Sequence, residues 1–139
     1  MRITILTVLL AAVLSGCESA PERKIESRAA VKAGVSEMSP AEARPAVEAA
    51  YSQLVDVREP SEYAAGHAYR ARNIPLASLS VSLDRIDKNE PVFLICRTDN
   101  RSREAAKILA DAGFEKIVVI KGGTEAWRDA GLPMSEARK

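Results

Sequence analysis

Apolar positions follow two rhythms along the chain. PVFLIC (91–96) is a continuous apolar run too short for a helix, as expected of a strand covered on both faces of a parallel sheet; QLVDV (53–57) reads as the first core strand and KIVVI (116–120) as the one after PVFLIC. By contrast, SREAAKILADAG (102–113) sets Ala105, Ile108, Leu109 and Ala112 at helical spacing, with charges opposite and Gly113 as a stop, which predicts a helix beginning near Ser102. SPAEA puts Ser39 at an N-cap, Pro40 at the first helical position and Glu42 three residues after the cap, so a helix is expected there, kinked or ended at Pro45. A helical turn in PSEYAAG stopping at Gly66, a very short strand in RNIP (72–75), a helix over ASLSVSLDRI (77–86) and a last short helix after GG in GGTEAWRDAG (122–131) complete the pattern. Strands alternating with helices indicate one α/β domain with a mainly parallel central sheet and helices on both faces.

The first residues keep neither rhythm. Arg2 precedes an unbroken apolar run from Ile3 to Leu14, which leads into Ser15, Gly16 and Cys17. As a helix the run would cover about 18 Å at ~1.5 Å per residue, well short of a ~30 Å hydrocarbon core; it has the size of a signal-peptide core. The ending LSGC resembles the lipobox of bacterial lipoproteins, which implies cleavage before Cys17 and lipidation of its sulfur. A simple secreted protein, with Cys17 incidental or paired to Cys96, is the alternative. Glu18 is not the aspartate that typically marks inner-membrane retention, so the expectation is a protein on the periplasmic side, lipid-anchored to the outer membrane. Residues 18–34 are polar and charged, as in a tether. The expected division is a leader at 1–16, a tether at 17–34 and a globular domain at 35–135.

Charge adds little. Twenty Lys and Arg stand against nineteen Asp and Glu in 139 residues, so no basic face is announced for nucleic acid. One histidine and two cysteines offer no multi-ligand spacing for a metal, and no cofactor is implied.

The chemistry concentrates in VFLICRTDNRS (92–102). Cys96 ends a buried-strand pattern where a loop leads into a helix, the place at which reactive groups collect in parallel α/β sheets. With five residues, Arg97 to Arg101, before the expected helix, the main chain should curl around the sulfur with NH groups turned inward. Those NH groups, the helix N-terminus and the Arg97 and Arg101 guanidinium groups would favour a thiolate over a neutral thiol. An inert core cysteine is the plainer alternative. His67 reads as a hydrogen-bonding turn residue rather than a partner of the sulfur.

LVDVREPSEYAAGH, RNIPL, CRTDNRS and VIKGGTEAWRDAGLP occur in the order found in rhodanese-like sulfurtransferase domains, and the resemblance covers about residues 35–133. It implies that Cys96 takes a sulfane sulfur from a small anionic donor such as thiosulfate, becomes a persulfide and passes the sulfur to cyanide or a thiol. By the same resemblance Arg97, Thr98, Asp99, Asn100, Arg101 and Ser102 form the substrate-binding loop, Asp56 and Arg58 support it, Gly122 and Gly123 allow a turn, and Trp127 packs as core. Two positions depart from the family pattern: Asp99 stands where glycine is usual, and Tyr69-Arg70 replaces a Pro-Gly pair, which makes Arg70 a candidate partner for Asp99. Two other functions fit the fold. One is a non-catalytic binding module. The other is a phosphatase or arsenate reductase, which would want arginine six residues after the cysteine, where this chain has Ser102.

Overall fold

The computed structural model describes residues 34–49 and 52–136. The leader, most of the tether and Cys17 lie outside the described residues. Among the described residues, seven strands and four α-helices follow in chain order: β1 (Gly34–Met38), α1 (Pro40–Val47), β2 (Gln53–Asp56), α2 (Pro60–Ala65), β3 (His67–Ala68), β4 (Arg72–Asn73), β5 (Val92–Ile95), α3 (Asn100–Asp111), β6 (Lys116–Ile120), α4 (Gly123–Asp129) and β7 (Met134–Ser135). The five-stranded sheet has the order β1-β6-β5-β2-β4, and every pairing in it is parallel. β3 and β7 form a separate antiparallel pair.

The central strands read as unbroken apolar runs because successive side chains feed two different cores. Val55, Val92, Leu94, Ile117 and Val119 meet Ala105, Ala106 and Leu109 of α3 on one face. Leu54, Phe93, Ile95, Val118 and Ile120 meet Ala43, Ala46 and Val47 of α1 and Trp127 of α4 on the other. Each such side chain contributes roughly 1.5–3 kcal/mol on burial, so both helical layers are needed to cover the sheet.

Three expectations about elements change. α1 has the expected capping box between Ser39 and Glu42, yet runs two residues past Pro45. The proline forfeits one backbone bond, and buried Ala46 and Val47 hold the last turn against the sheet. Residues 77–86 form no α-helix. They lie in two 3-10 segments, Leu76–Val81 and Leu83–Arg85, because Leu76 and Leu79 sit three apart, a spacing that eclipses in a 3-10 turn, and the Ser78 hydroxyl bonds back to the Pro75 carbonyl at 3.1 Å. β1 replaces the start of an unstructured lead-in: Gly34, given to the tether by its composition, already pairs with Lys116.

Candidate active site

β5 delivers Cys96 to the carboxyl end of the sheet. Its side chain follows Val92 and Leu94 onto the α3 side and packs in the same cluster as Val57, Leu79 and Ala105, at 1% exposure. The thiol is free. α3 starts at Asn100, not at Ser102, so three residues rather than five separate Cys96 from the helix, and Asn100, Arg101 and Ser102 belong to its first turn.

The α4 turn fixes the course of those three residues. The carbonyl oxygens of Cys96 and Arg97 accept from the NH groups of Thr124 at 2.8 Å and Glu125 at 3.2 Å. Gly123, at φ 57°, presses its backbone so close that a Cβ there would overlap the carbonyl oxygens of Cys96 and Thr98 and stand 2.6 Å from the carbonyl carbon of Arg97. Three successive carbonyls therefore face α4. A trans peptide points its NH opposite to its C=O, and no peptide among the described residues is cis. The NH groups of Arg97, Thr98 and Asp99 thus project away from α4, towards the face that holds the Cys96 side chain. A concave run of NH groups of this kind favours an anion. The glycine pair does more than permit a turn; Gly123 is the surface on which the loop is moulded.

Asp99 needs no left-handed backbone, with φ −158°. Its carboxylate leaves α3 without a side-chain cap and instead accepts from the Gly122 NH at 3.4 Å and from Arg103 at 3.3 Å. Arg70 is not its partner: that guanidinium donates to the Glu48 carbonyl at 2.7 Å. Arg70 does occupy the geometry its glycine counterpart would suit, at φ 69°, in a turn closed by the Ala71 NH on the Ala68 carbonyl at 2.9 Å.

Neither loop guanidinium stands free. Arg97 is exposed and bonded to Glu125 at 2.8 Å. Arg101 forms a two-pronged pair with Glu62 at 2.6 and 2.9 Å. Arg103 bonds Glu37 at 2.8 Å as well as Asp99. Three guanidinium groups thus meet four carboxylates, and the rim carries no net positive charge. The hydrogen bonds from Arg101 hold the Glu62 carboxyl down to about 2, against the opposing effect of burial, with help from the Glu59 NH and the charges of Arg101 and Arg58. Arg101 is pushed above its usual value first by its hydrogen bond to Glu62 and, more weakly, by the charge of Glu62, against the opposing effect of burial.

Behind that clamp lies a buried support. Arg58 Nε is 3.0 Å from both carboxylate oxygens of Asp56, and its Nη2 reaches Asp56 at 2.7 Å and the Gly66 carbonyl at 2.7 Å. Asn73 Nδ2 donates to the carbonyls of Asp56 and Arg58 at 3.0 and 2.9 Å. The pair ties the end of α2 to β2, and Glu62 on α2 then grips Arg101. Asp56 and Arg58 therefore support the loop through α2. His67 stacks on Tyr63 at 3.7 Å and holds the Tyr63 carbonyl at 2.9 Å, a structural role, and Trp127 is buried with its Nε1 donating to the Pro133 carbonyl at 3.0 Å. Glu62, Glu125 and Arg103 are site residues that sequence reading passed over. Only Arg103, four residues after Asp99 on a helix, left a local signal.

A rhodanese-like domain model matches residues 39–130. The uncharacterized protein YqhL of Bacillus subtilis (strain 168) is 43% identical over 76 residues, which is 55% of this chain and 60% of that protein, so the match spans less than two thirds of that relative. The thiosulfate sulfurtransferase GlpE of Actinobacillus pleuropneumoniae serotype 3 is 35% identical over 101 residues, covering 73% of this chain and 94% of GlpE. Among solved structures, a rhodanese-related protein from Thermoplasma volcanium aligns with a TM-score of 0.65 and 27% identity over 71% of this chain and 96% of its own. A rhodanese-like domain protein from Staphylococcus aureus aligns with a TM-score of 0.63 and 30% identity over 70% of this chain and 96% of its own. The loop moulded on Gly123, with its cysteine at the end of a central parallel strand, thus sits in a chain that belongs to the rhodanese-like domain family.

Proposed function

We propose that the protein is a sulfurtransferase working through a Cys96 persulfide. The Cys96 thiolate attacks the outer sulfur of thiosulfate; a new S–S bond forms, the old one breaks, and its electron pair leaves on sulfite. An acceptor thiolate or cyanide then attacks the outer sulfur of the persulfide, and the Cys96 thiolate departs. No cofactor or metal enters this cycle. The observation that carries the reading is the set of carbonyls from Cys96 to Thr98 turned onto α4, which aims the opposing NH groups at the side of the sulfur, where they stabilise the anionic states before and after transfer. The sulfurtransferase relative supports it. Incubation with thiosulfate should add one sulfur atom to the intact mass, and cyanide should remove it. Equal behaviour of wild type and Cys96→Ala sinks the proposal.

A binding module is the second reading, favoured by the 1% exposure of Cys96 and by the neutralised rim. Reactive thiols ordinarily sit in partly exposed, electropositive surroundings. The pH dependence of Cys96 alkylation separates the two: an ordinary thiol midpoint near 8.5 supports the module, and a clearly lower one supports catalysis.

We also propose that Cys17 is lipidated and holds the domain on the periplasmic side of the outer membrane. The Cys17→Ala variant should then leave the membrane fraction; its retention there refutes the anchor.

A further inference from the structure

The three guanidinium groups around the Cys96 loop already have carboxylate partners. Arg97 bonds Glu125 at 2.8 Å, Arg101 grips Glu62 with both Nη atoms, and Arg103 divides its charge between Glu37 at 2.8 Å and Asp99 at 3.3 Å. The first two pairs are neutral, so the surplus negative charge falls on the Asp99–Arg103–Glu37 set. Lys121 after β6 and Glu59 at the N-cap of α2 add one charge of each sign at the same end of the sheet, as do the buried Arg58 and Asp56.

Asp99 brings that surplus close to the sulfur. It follows Cys96 by three residues, so the two Cα atoms lie within about 11 Å at ~3.8 Å per residue. Both are also seated on one turn: the Cys96 carbonyl faces Gly123, and the Asp99 carboxylate accepts from the Gly122 NH at 3.4 Å. This is well inside the ~30 Å screening length at 0.01 M salt. The NH groups of Arg97 to Asp99 and the N-terminus of α3 suit one anion, the sulfur that moves between donor and Cys96. A second charge on the donor would stand outside that cradle, among groups whose sum is negative.

We propose, on the basis of the sulfurtransferase reading, that the sulfur donor is an organic persulfide or thiosulfonate with at most one negative charge, and that Asp99 disfavours a dianion such as thiosulfate. With a thiosulfonate, the Cys96 thiolate attacks the terminal sulfur; a new S–S bond forms, the bond from that sulfur to the sulfonyl group breaks, and its electron pair leaves on the sulfinate. With an organic persulfide the leaving group is a thiolate. Thiosulfate remains a substrate, used slowly.

The test compares thiosulfate with the methanethiosulfonate anion, which presents the same terminal sulfur on a sulfonyl group with one charge fewer. Second-order rate constants for sulfur loading are read by intact mass at about 0.01 M ionic strength, for wild type and for Asp99→Asn, which keeps an oxygen for the Gly122 NH. Repulsion scales with donor charge, so the substitution should raise the thiosulfate constant about fourfold and the methanethiosulfonate constant about twofold. Added salt should speed thiosulfate loading of wild type and narrow the gap between the two proteins. The wild-type salt series needs no substitution and decides the matter even where Asp99→Asn is unstable. An equal change in both constants, or thiosulfate loading slowed by salt, overturns the role of Asp99 while sulfur transfer stands. If neither donor loads wild type, the sulfurtransferase reading itself fails, and the choice of donor falls with it.

Discussion

The turn at Gly122-Gly123 and the turn at Tyr69-Arg70 make the same demand on the backbone: Gly122 and Arg70 both sit at φ 69°, and Gly123 at 57°. They satisfy it with different residues because their surroundings differ. A Cβ at 123 would enter the main chain of the cysteine loop, and one at 122 would come within 2.6 Å of the Ala126 Cβ. Arg70 is exposed, with its side chain laid over the Glu48 carbonyl. Left-handed backbone alone costs a non-glycine residue about 1–2 kcal/mol, a penalty a stable domain absorbs. Collision with the main chain of the loop is a larger and local penalty. Glycine at 123 is thus required for space as well as for dihedral freedom, and the two requirements have separable consequences.

Gly123→Ala gives the largest expected effect. Both penalties act together, and overpacking against fixed backbone costs on the order of 3 kcal/mol. The loop must leave α4, so urea unfolding should show that loss, and sulfur loading at Cys96 should fall below detection. Normal loading in a folded Gly123→Ala protein would mean that the α4 contact does not shape the loop.

Glu62→Gln probes the grip on the opposite side of the loop. The carboxyl is lowered from 4.5 to about 2 in the folded protein, so its contribution is fully present above about pH 4.5 and is lost as pH falls through about 2. Because the pair is about one-third exposed, solvent screening limits that contribution to about 1 kcal/mol. The variant should be less stable near neutrality and should lack this part of the wild-type decline in acid. Parallel stability curves for the two proteins between pH 5 and 2 would remove Glu62 from the account.

Arg70→Gly should change least. Relief of the left-handed backbone is partly offset by the greater freedom of glycine in the unfolded chain, leaving a gain of about 0.5 kcal/mol. Sulfur loading should stay at the wild-type rate. A stability loss greater than about 1 kcal/mol would show that the Arg70 bond to Glu48 outweighs the backbone penalty.

What the sequence disclosed follows from the range of the forces involved. β5 and β6 are legible because burial on two faces leaves a continuous apolar mark, β2 through Leu54, Val55 and Val57 around a buried Asp56, and α1 because the Ser39–Glu42 capping box spans three residues. β1 carries little mark: GVSEM has a mostly exposed pattern and is a strand because β6 lies beside it. The cysteine loop was legible as a location, through Cys96 at the end of an apolar run. Its wiring was not. Arg101 finds Glu62 39 positions away, and Arg97 finds Glu125 28 positions away, so the charges that looked available for an anion are committed by tertiary neighbours. The two-residue error in the start of α3 has a similar origin: Asp99 turns its carboxylate to Gly122 and Arg103 instead of marking the helix boundary as a cap.

The direction of β1 has a consequence for presentation. In an all-parallel sheet every strand begins at the same end, so Gly34 opens its strand at the end remote from Cys96. Polypeptide preceding Gly34 joins the domain on the side opposite the sulfur. The carboxyl end of the sheet, with Cys96, therefore faces away from the point at which the upstream chain enters the domain.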